Sequence, residues 1–308
     1  MAPRLALVVS LTLIGCATVP QPASLDRGRL VLNLTDGGAE SLPKVLADLA
    51  SVRHVYVGEV HLSDAHHAVQ LEVAERLQDS GAEIVLAIEW LPGLTQPALD
   101  AWTAGELTEA VFLERVQWGR FWGHPFDGYR PIFHWARANR VRIVALNPPP
   151  GLAEAVRRGG PEGVPASLRG ALPPLDSAND AHRRYFFERM AEAGRAHGHG
   201  HSLGPAVLER YYQAQLVRDE TMAAGVARLV AESPRRVVVV LAGAGHVDFA
   251  HGIPVRAAKS AGPFRIVLPV EAGKIPEAAR EVTAKDYPDR RADYAWEAPR
   301  VGGVFAHR

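Results

Sequence analysis

The sequence predicts an α/β fold: a mainly parallel sheet core flanked by helices, with a helical insertion subdomain. Two observations carry this. Six short runs rich in β-branched residues alternate with helical patterns, the order expected of strand and helix layers. Several of the runs are apolar on both alternating faces, as in parallel strands covered by helices on each side. The runs are Leu30–Leu34, Val55–Gly58, Ile84–Glu89, Val141–Asn147, Val237–Ala242 and Arg265–Leu268. Between them, Ala65–Asp79 carries Val69, Val73 and Leu77 on one helical face. Leu107–Gln117, Pro131–Asn139, Ala178–Ala193 and Ala206–Ser233 also read as helices, and the insertion is placed at about 95–135 and 175–232. Residues 276–308 are charged without a clear period and read as a loosely packed tail.

The N-terminus has a separate logic. One basic residue in Met1–Arg4 is followed by an apolar run, Leu5–Ile14, too short to span a bilayer. This is the layout of a secretory signal peptide over residues 1–15. It ends in Leu13-Ile14-Gly15-Cys16, which resembles a lipobox, so Cys16 is the expected lipidation site. Cys16 is the only cysteine, and a lone thiol in an exported chain otherwise has no partner. Residues 16–28, with Pro20 and Pro22, read as a tether to the membrane. The expected location is the cell envelope. Ala17 after the cysteine favours the outer membrane if the source has one.

Composition narrows the function classes. The chain is 47% hydrophobic and 22% charged, with 34 basic and 34 acidic residues and a formal net charge of zero. It has no basic run to follow a nucleic-acid backbone, so nucleic acid is not an expected partner. Thirteen histidines stand out, because imidazole is the commonest metal ligand.

In parallel sheets, function collects at the carboxyl ends of strands. Four strand ends deliver polar or titratable groups here: Gly58-Glu59-Val60-His61, Glu89-Trp90, Asn147, and Gly243-Ala244-Gly245-His246. Glu89 closes an apolar run, and a carboxylate there is costly to bury unless paired or bound to a cation. His61, Glu89 and His246 form a chemically sensible donor set for a divalent metal. Each piece also has a structural reading. Gly58 and Gly243 permit turns, Asp64 caps the helix starting near Ala65, and His246 is a satisfied structural histidine.

These fragments resemble the ChaN-like family of haem-binding lipoproteins, in a superfamily with the Tiki and TraB proteins and the erythromycin esterases. The resembling stretches are Gly58–His61 with His66-His67, Ala87–Trp90, Tyr129–Ile132 with Ala145–Asn147, Gln215–Ala223 and Leu241–His246. The resemblance implies a ChaN-like α/β domain over residues 29–275 with a helical subdomain. It implies haem as cofactor, a role in haem or iron uptake, a homodimer on haem binding, and a haem receptor or transporter as partner. It also implies that Glu59, His61, Glu89 and His246 occupy positions where hydrolytic relatives keep a metal or a general base, with Asp219 and Glu220 facing the same cavity.

Haem needs an axial ligand and an apolar slot. With Cys16 consumed by lipid, the ligand candidates are Tyr129, Tyr211, Tyr212 and His67. The aromatic cluster Trp118, Phe121, Trp122, Phe126, Tyr129, Phe133 and Trp135 either lines such a slot or forms subdomain core. The loop His197-Gly198-His199-Gly200-His201 is either a solvated loop or a loose site for transition metals. Three functions follow. The first is a lipid-anchored haem-binding protein. The second is a metal-dependent hydrolase with metal on His61, Glu89, His246 and Asp219, and Glu59 as base. The third is a periplasmic metal-binding protein using the His197–His201 loop.

Overall fold

The computed structural model describes residues 29–196, 203–275 and 290–300. Cys16 and the His197–His201 loop lie outside the described residues. The chain runs through β1 (Val31–Asn33), α1 (Leu42–Ser51), β2 (His54–Glu59), α2 (Asp64–Asp79), β3 (Ile84–Pro92), α3 (Gln96–Thr103), α4 (Glu109–Val116), α5 (Trp118–Phe121), α6 (Arg130–Ala138) and β4 (Ile143–Asn147). It continues through α7 (Leu152–Gly159), α8 (Ala166–Arg169), α9 (Asp180–Ala196), α10 (Pro205–Glu232), β5 (Val237–Gly243), α11 (Ala244–Val247), α12 (Ile253–Ala261), β6 (Phe264–Val270) and β7 (Tyr294–Glu297). The strands form one sheet in the order β1-β7-β6-β2-β5-β3-β4, parallel throughout except for the β1–β7 pair. The six runs read from the sequence are six of these strands. No helix among the described residues is long and apolar enough to cross a membrane.

The tail reading needs correction. Tyr294–Glu297 forms β7, inserted between β1 and β6. Its Tyr294, Ala295 and Trp296 are buried, so this segment is an interior strand of the sheet, with β1 outside it at the edge. A four-residue strand after a charged stretch is too short to show a period.

β5 lies between β2 and β3, and all seven of its residues are buried. Its Val-Val-Val-Val-Leu run is what a strand needs when both faces are covered. Side chains alternate between two cores. One face takes Val55, Val57, Leu86, Ile88, Val239 and Leu241 under α1, α2 and the aromatic residues of α3–α6. The other takes Tyr56, Val85, Ala87, Val238 and Val240 with Met222, Val226 and Leu229 of α10 and Ile253 and Ala257 of α12. The C-terminal half of α10 therefore belongs to the sheet's own helix layer. A smaller cluster joins α7 to Val217 of α10. At roughly 25 cal/mol per Å² of apolar surface buried, these three clusters drive folding in a chain whose described part has no disulfide.

The start of α2 differs in detail from the sequence reading. Ser63, not Asp64, is the N-cap, and its hydroxyl accepts from the His66 N–H. Asp64 is instead the first helical residue.

Candidate functional site

Strand parity splits the strand-end residues into two halves. Glu59 shares its face with Val55 and Val57, toward α2 and the aromatic core. Glu89 shares its face with Val85 and Ala87, toward α10. Between them β5 ends in Gly243, which pairs with Glu59 in the ladder. A Cβ on Gly243 would lie 2.8 Å from His61 Cε1, 3.2 Å from His61 Nε2 and 3.4 Å from Glu89 Oε2. The missing side chain lets the His61 ring lie over the strand end, between the two halves.

The first half is built around Glu59, whose side chain is fully buried. Glu59 Oε1 lies 2.7 Å from His61 Nδ1 and accepts from Trp90 Nε1 at 3.3 Å. Glu59 Oε2 lies 3.2 Å from His67 Nε2, at ion-pair distance but outside hydrogen-bond geometry, so both atoms remain without a hydrogen bond. Burial raises the Glu59 carboxyl, but the His61 hydrogen bond and the charges of His61 and His67 outweigh it and hold the group below its ordinary value. Burial lowers His61, while Glu59 and Glu89 together raise it further, leaving it above its ordinary value. The loop that carries His61 is held by the Val60 N–H, which donates to His66 Nδ1 at 3.0 Å. Leu62 then takes φ 68°, a left-handed turn that costs a residue with a Cβ about 1 kcal/mol. That turn leaves Val60 and Leu62 exposed, at 59% and 58%.

At the rim, the His61 ring meets Trp122 edge-on at 4.7 Å and lies 5.5 Å from His124. His61 keeps 37% of its side chain exposed. A cavity of about 290 Å³ opens beside Val60, lined by Gly58, His66, Leu268 and Val270 among others. Most of the aromatic cluster is core: Trp118, Phe126, Tyr129 and Phe133 are buried and pack on Trp90 and Phe112. Phe121, Trp122 and Trp135 lie at its partly buried margin.

The second half is closed. His246 Nδ1 lies 2.6 Å from Asp219 Oδ1, and its Nε2 lies 3.2 Å from Glu89 Oε1. Glu89 Oε2 accepts from the Gly243 N–H at 2.6 Å. Burial alone raises Glu89, but the His246 charge outweighs it and holds the carboxyl at about 2. Burial alone lowers His246, but Glu89 and Asp219 outweigh it and push the imidazole up to about 10. Of the expected metal set, Glu89, His246 and Asp219 form this ion-paired network, while His61 pairs with Glu59 in the first half. Among the described residues, no group of three or more His, Cys, Asp or Glu side chains is arranged to hold a metal ion.

Behind Asp219 lies a residue without a local sequence signal. His182, at the start of α9, is buried, with Nε2 3.7 Å from Asp219 Oδ2. Neither of those two atoms has a hydrogen bond. Burial lowers His182 to about 4. Its Nδ1 lies 3.3 Å from the Tyr212 hydroxyl. Glu220 does not face this cavity; it pairs with Arg256 at 2.9 Å.

The four haem-ligand candidates are dispersed. Tyr129 and His67 are buried and pack with tilted rings 4.1 Å apart, and the Tyr129 hydroxyl makes no hydrogen bond. Tyr212 is buried against His182, and Tyr211 accepts from Arg157 at 3.2 Å on the far side of α10. The imidazoles that reach solvent at the site are His61 and His124. His124 escaped the sequence reading, and its one usable signal was its place two residues after Trp122.

The sequence matches a family described as "Haem-binding uptake, Tiki superfamily, ChaN" over residues 45–257. The chain belongs to this ChaN family. Among solved structures, it is similar to ChaN of Campylobacter jejuni, whose structure is titled for cofacial heme binding. The TM-score is 0.67 at 16% identity, covering 89% of this chain and 98% of that one. At that identity the likeness shows the shared fold. Weaker likenesses extend to the type III effector HopBA1, with TM-score 0.49 and 13% identity over 82% of this chain and 91% of that one. An erythromycin esterase mutant in its open conformation gives TM-score 0.48 and 12% identity over 90% and 99%. No curated protein sequence matches.

Proposed function

We propose that this ChaN-family chain is a lipid-anchored envelope protein that binds haem for haem or iron uptake. Family membership sets the ligand class. The single structural observation in favour is the rim of the first half: two solvent-reaching imidazoles, His61 and His124, stand beside Trp122 and the exposed Val60 and Leu62. An axial donor and apolar surface are what a porphyrin iron requires of its host. His61 or His124 would supply the donor, and bound haem would supply the iron and its redox chemistry. His61 is the oriented one, because Glu59 fixes its Nδ1 side and leaves Nε2 toward the strand end. The exposed Val60 and Leu62 also suit a second copy of the chain closing over the ligand. Delivery to a receptor or transporter, and lipid on Cys16, belong to the same reading.

The experiment is a hemin titration of the purified apo-protein. A saturable Soret shift at micromolar protein supports haem binding, and its absence rejects it. Sedimentation with and without hemin reads the second copy. Cys16→Ala in cells should move the protein out of the membrane fraction if lipid holds it there.

A second reading is favoured by one observation, the Glu59–His61 pair at 2.7 Å. A carboxylate-oriented histidine is the usual form of a general base, so the site could activate water without a metal. A panel of p-nitrophenyl esters tests it: hydrolysis that disappears in His61→Ala supports it, and equal rates in the two proteins reject it.

A further inference from the structure

A cavity of about 220 Å³ lies at the carboxyl ends of β3 and β4, beside the start of α7. Three of its lining residues are close in the chain to residues of the site. Pro92 in its wall lies three residues beyond Glu89, Phe121 precedes Trp122, and Arg218 precedes Asp219. Its volume falls below the roughly 300–1,000 Å³ of a pocket that encloses a whole ligand, so it suits one arm of a ligand seated elsewhere.

The chemistry of the walls is cationic. Arg218 is exposed on α10 and makes no ion pair or hydrogen bond among the described residues. Arg120 donates one hydrogen bond to Gln117 Oε1 at 2.8 Å and lies 5.2 Å from the centre of the Phe121 ring, which leaves most of its five donors open. The Asn147 amide adds a neutral donor to the wall. Glu154 is the acidic lining residue, but Arg157 and Arg158 both hold it at 2.5 Å, so its charge is already offset. An uncommitted guanidinium and a partly committed one lining the same cavity suit a planar anion, which a guanidinium takes in bidentate fashion.

We propose that this cavity is a carboxylate subsite, in which Arg120 and Arg218 clamp a carboxylate arm of the ligand held at the His61–Trp122 rim. For the identity of the arm the inference rests on the haem reading, where it is a propionate. The clamp itself needs only the two arginines.

The test compares hemin with hemin dimethyl ester, which has the same ring and iron but no free carboxylates. The wild-type protein should bind the acid about tenfold or more tighter than the ester, the scale of charge-assisted hydrogen bonds. In the double variant Arg120→Gln, Arg218→Gln the acid should weaken to the level of the ester, with ester affinity unchanged. Arg228→Gln, an exposed charge change further along α10, should keep the preference. An unchanged preference in the double variant overturns the clamp, as does an equal loss for acid and ester. If wild type binds neither porphyrin, the haem reading fails and the clamp is read alone. Succinate should then protect Arg120 and Arg218 from phenylglyoxal, measured by peptide mass spectrometry. No protection overturns it.

Discussion

The two carboxylate–histidine assemblies at the sheet's carboxyl edge use the same residue types in opposite ways. Around Glu89, pairing is nearly complete: one imidazolium, His246, is held on both ring nitrogens by two carboxylates, and Glu89 takes a backbone N–H as well, leaving Asp219 Oδ2 and the facing His182 Nε2 without hydrogen bonds. Around Glu59, pairing is incomplete. Glu59 Oε2, both ring nitrogens of His67 and the Tyr129 hydroxyl lack hydrogen bonds, and His61 reaches solvent. A closed, buried network stabilises and positions, whereas an open one has capacity left for a ligand. The presence of His and Glu at strand ends says little by itself; what separates the halves is which face of the sheet each carboxylate points to.

The largest expected effect is on the closed half. His246→Ala removes the cation between two buried carboxylates and should cost about 3–5 kcal/mol in urea denaturation. A loss below about 1 kcal/mol would mean that Glu89 and Asp219 are not truly desolvated. Next comes Gly252→Ala. Its Cβ would sit 2.2 Å from the His246 carbonyl oxygen and 3.1 Å from Asp219 Oδ1. Backbone cannot step aside as a side chain can, so about 1–3 kcal/mol of destabilisation should appear in a thermal melt.

The pH dependence of the closed half has a defined direction. His246 is raised from 6.5 to about 10, so its contribution is complete below pH 6.5 and fades as pH climbs to about 10. Glu89 is lowered from 4.5 to about 2, so its contribution is complete above pH 4.5 and fades as pH falls toward 2. Stability from this pair should therefore plateau between pH 4.5 and 6.5 and decline on both sides. In His246→Ala the alkaline limb from this pair should vanish, as read by urea midpoints at a series of pH values.

The smallest stability effects should fall on the open half. His61→Ala removes a half-exposed ring and should cost no more than about 1 kcal/mol. Gly243→Ala should displace that ring while the fold persists, because the Cβ meets a side chain free to swing outward. Both variants should weaken hemin binding far more than they shift the melting temperature. The reverse ranking would collapse the distinction between the halves.

Much of this is legible in the sequence. Strands β2 to β6 stand out because burial on two faces demands unbroken apolar runs, as in Val237–Leu241. Glu59, His61, Glu89, Asp219 and His246 were legible as strand-end and helix residues, and they do meet at one edge. Their division was also written in the sequence, since Glu59 keeps step with Val55 and Val57 and Glu89 with Val85 and Ala87, but it emerges only once the two cores are distinguished. β7 was hidden by its brevity. His182 was hidden because nothing near it in sequence shows that the start of α9 folds back on Asp219. Tyr211 and Tyr212 are neighbours about 100° apart on a helix, so one had to face away from the site. Tyr211 turns to Arg157, and Tyr212, two turns before Asp219, faces His182.

The central claim is that the open half, at His61 and His124, is where this chain takes haem. The most direct measurement is a hemin titration of wild type, the double variant His61→Ala, His124→Ala, and Tyr211→Phe at one pH, followed by spectroscopy of the axial ligand. The account predicts a saturable Soret shift with a histidine signature in wild type and Tyr211→Phe, and loss of that signature with at least about tenfold weaker binding in the double variant. An identical spectrum and affinity in all three proteins would contradict it.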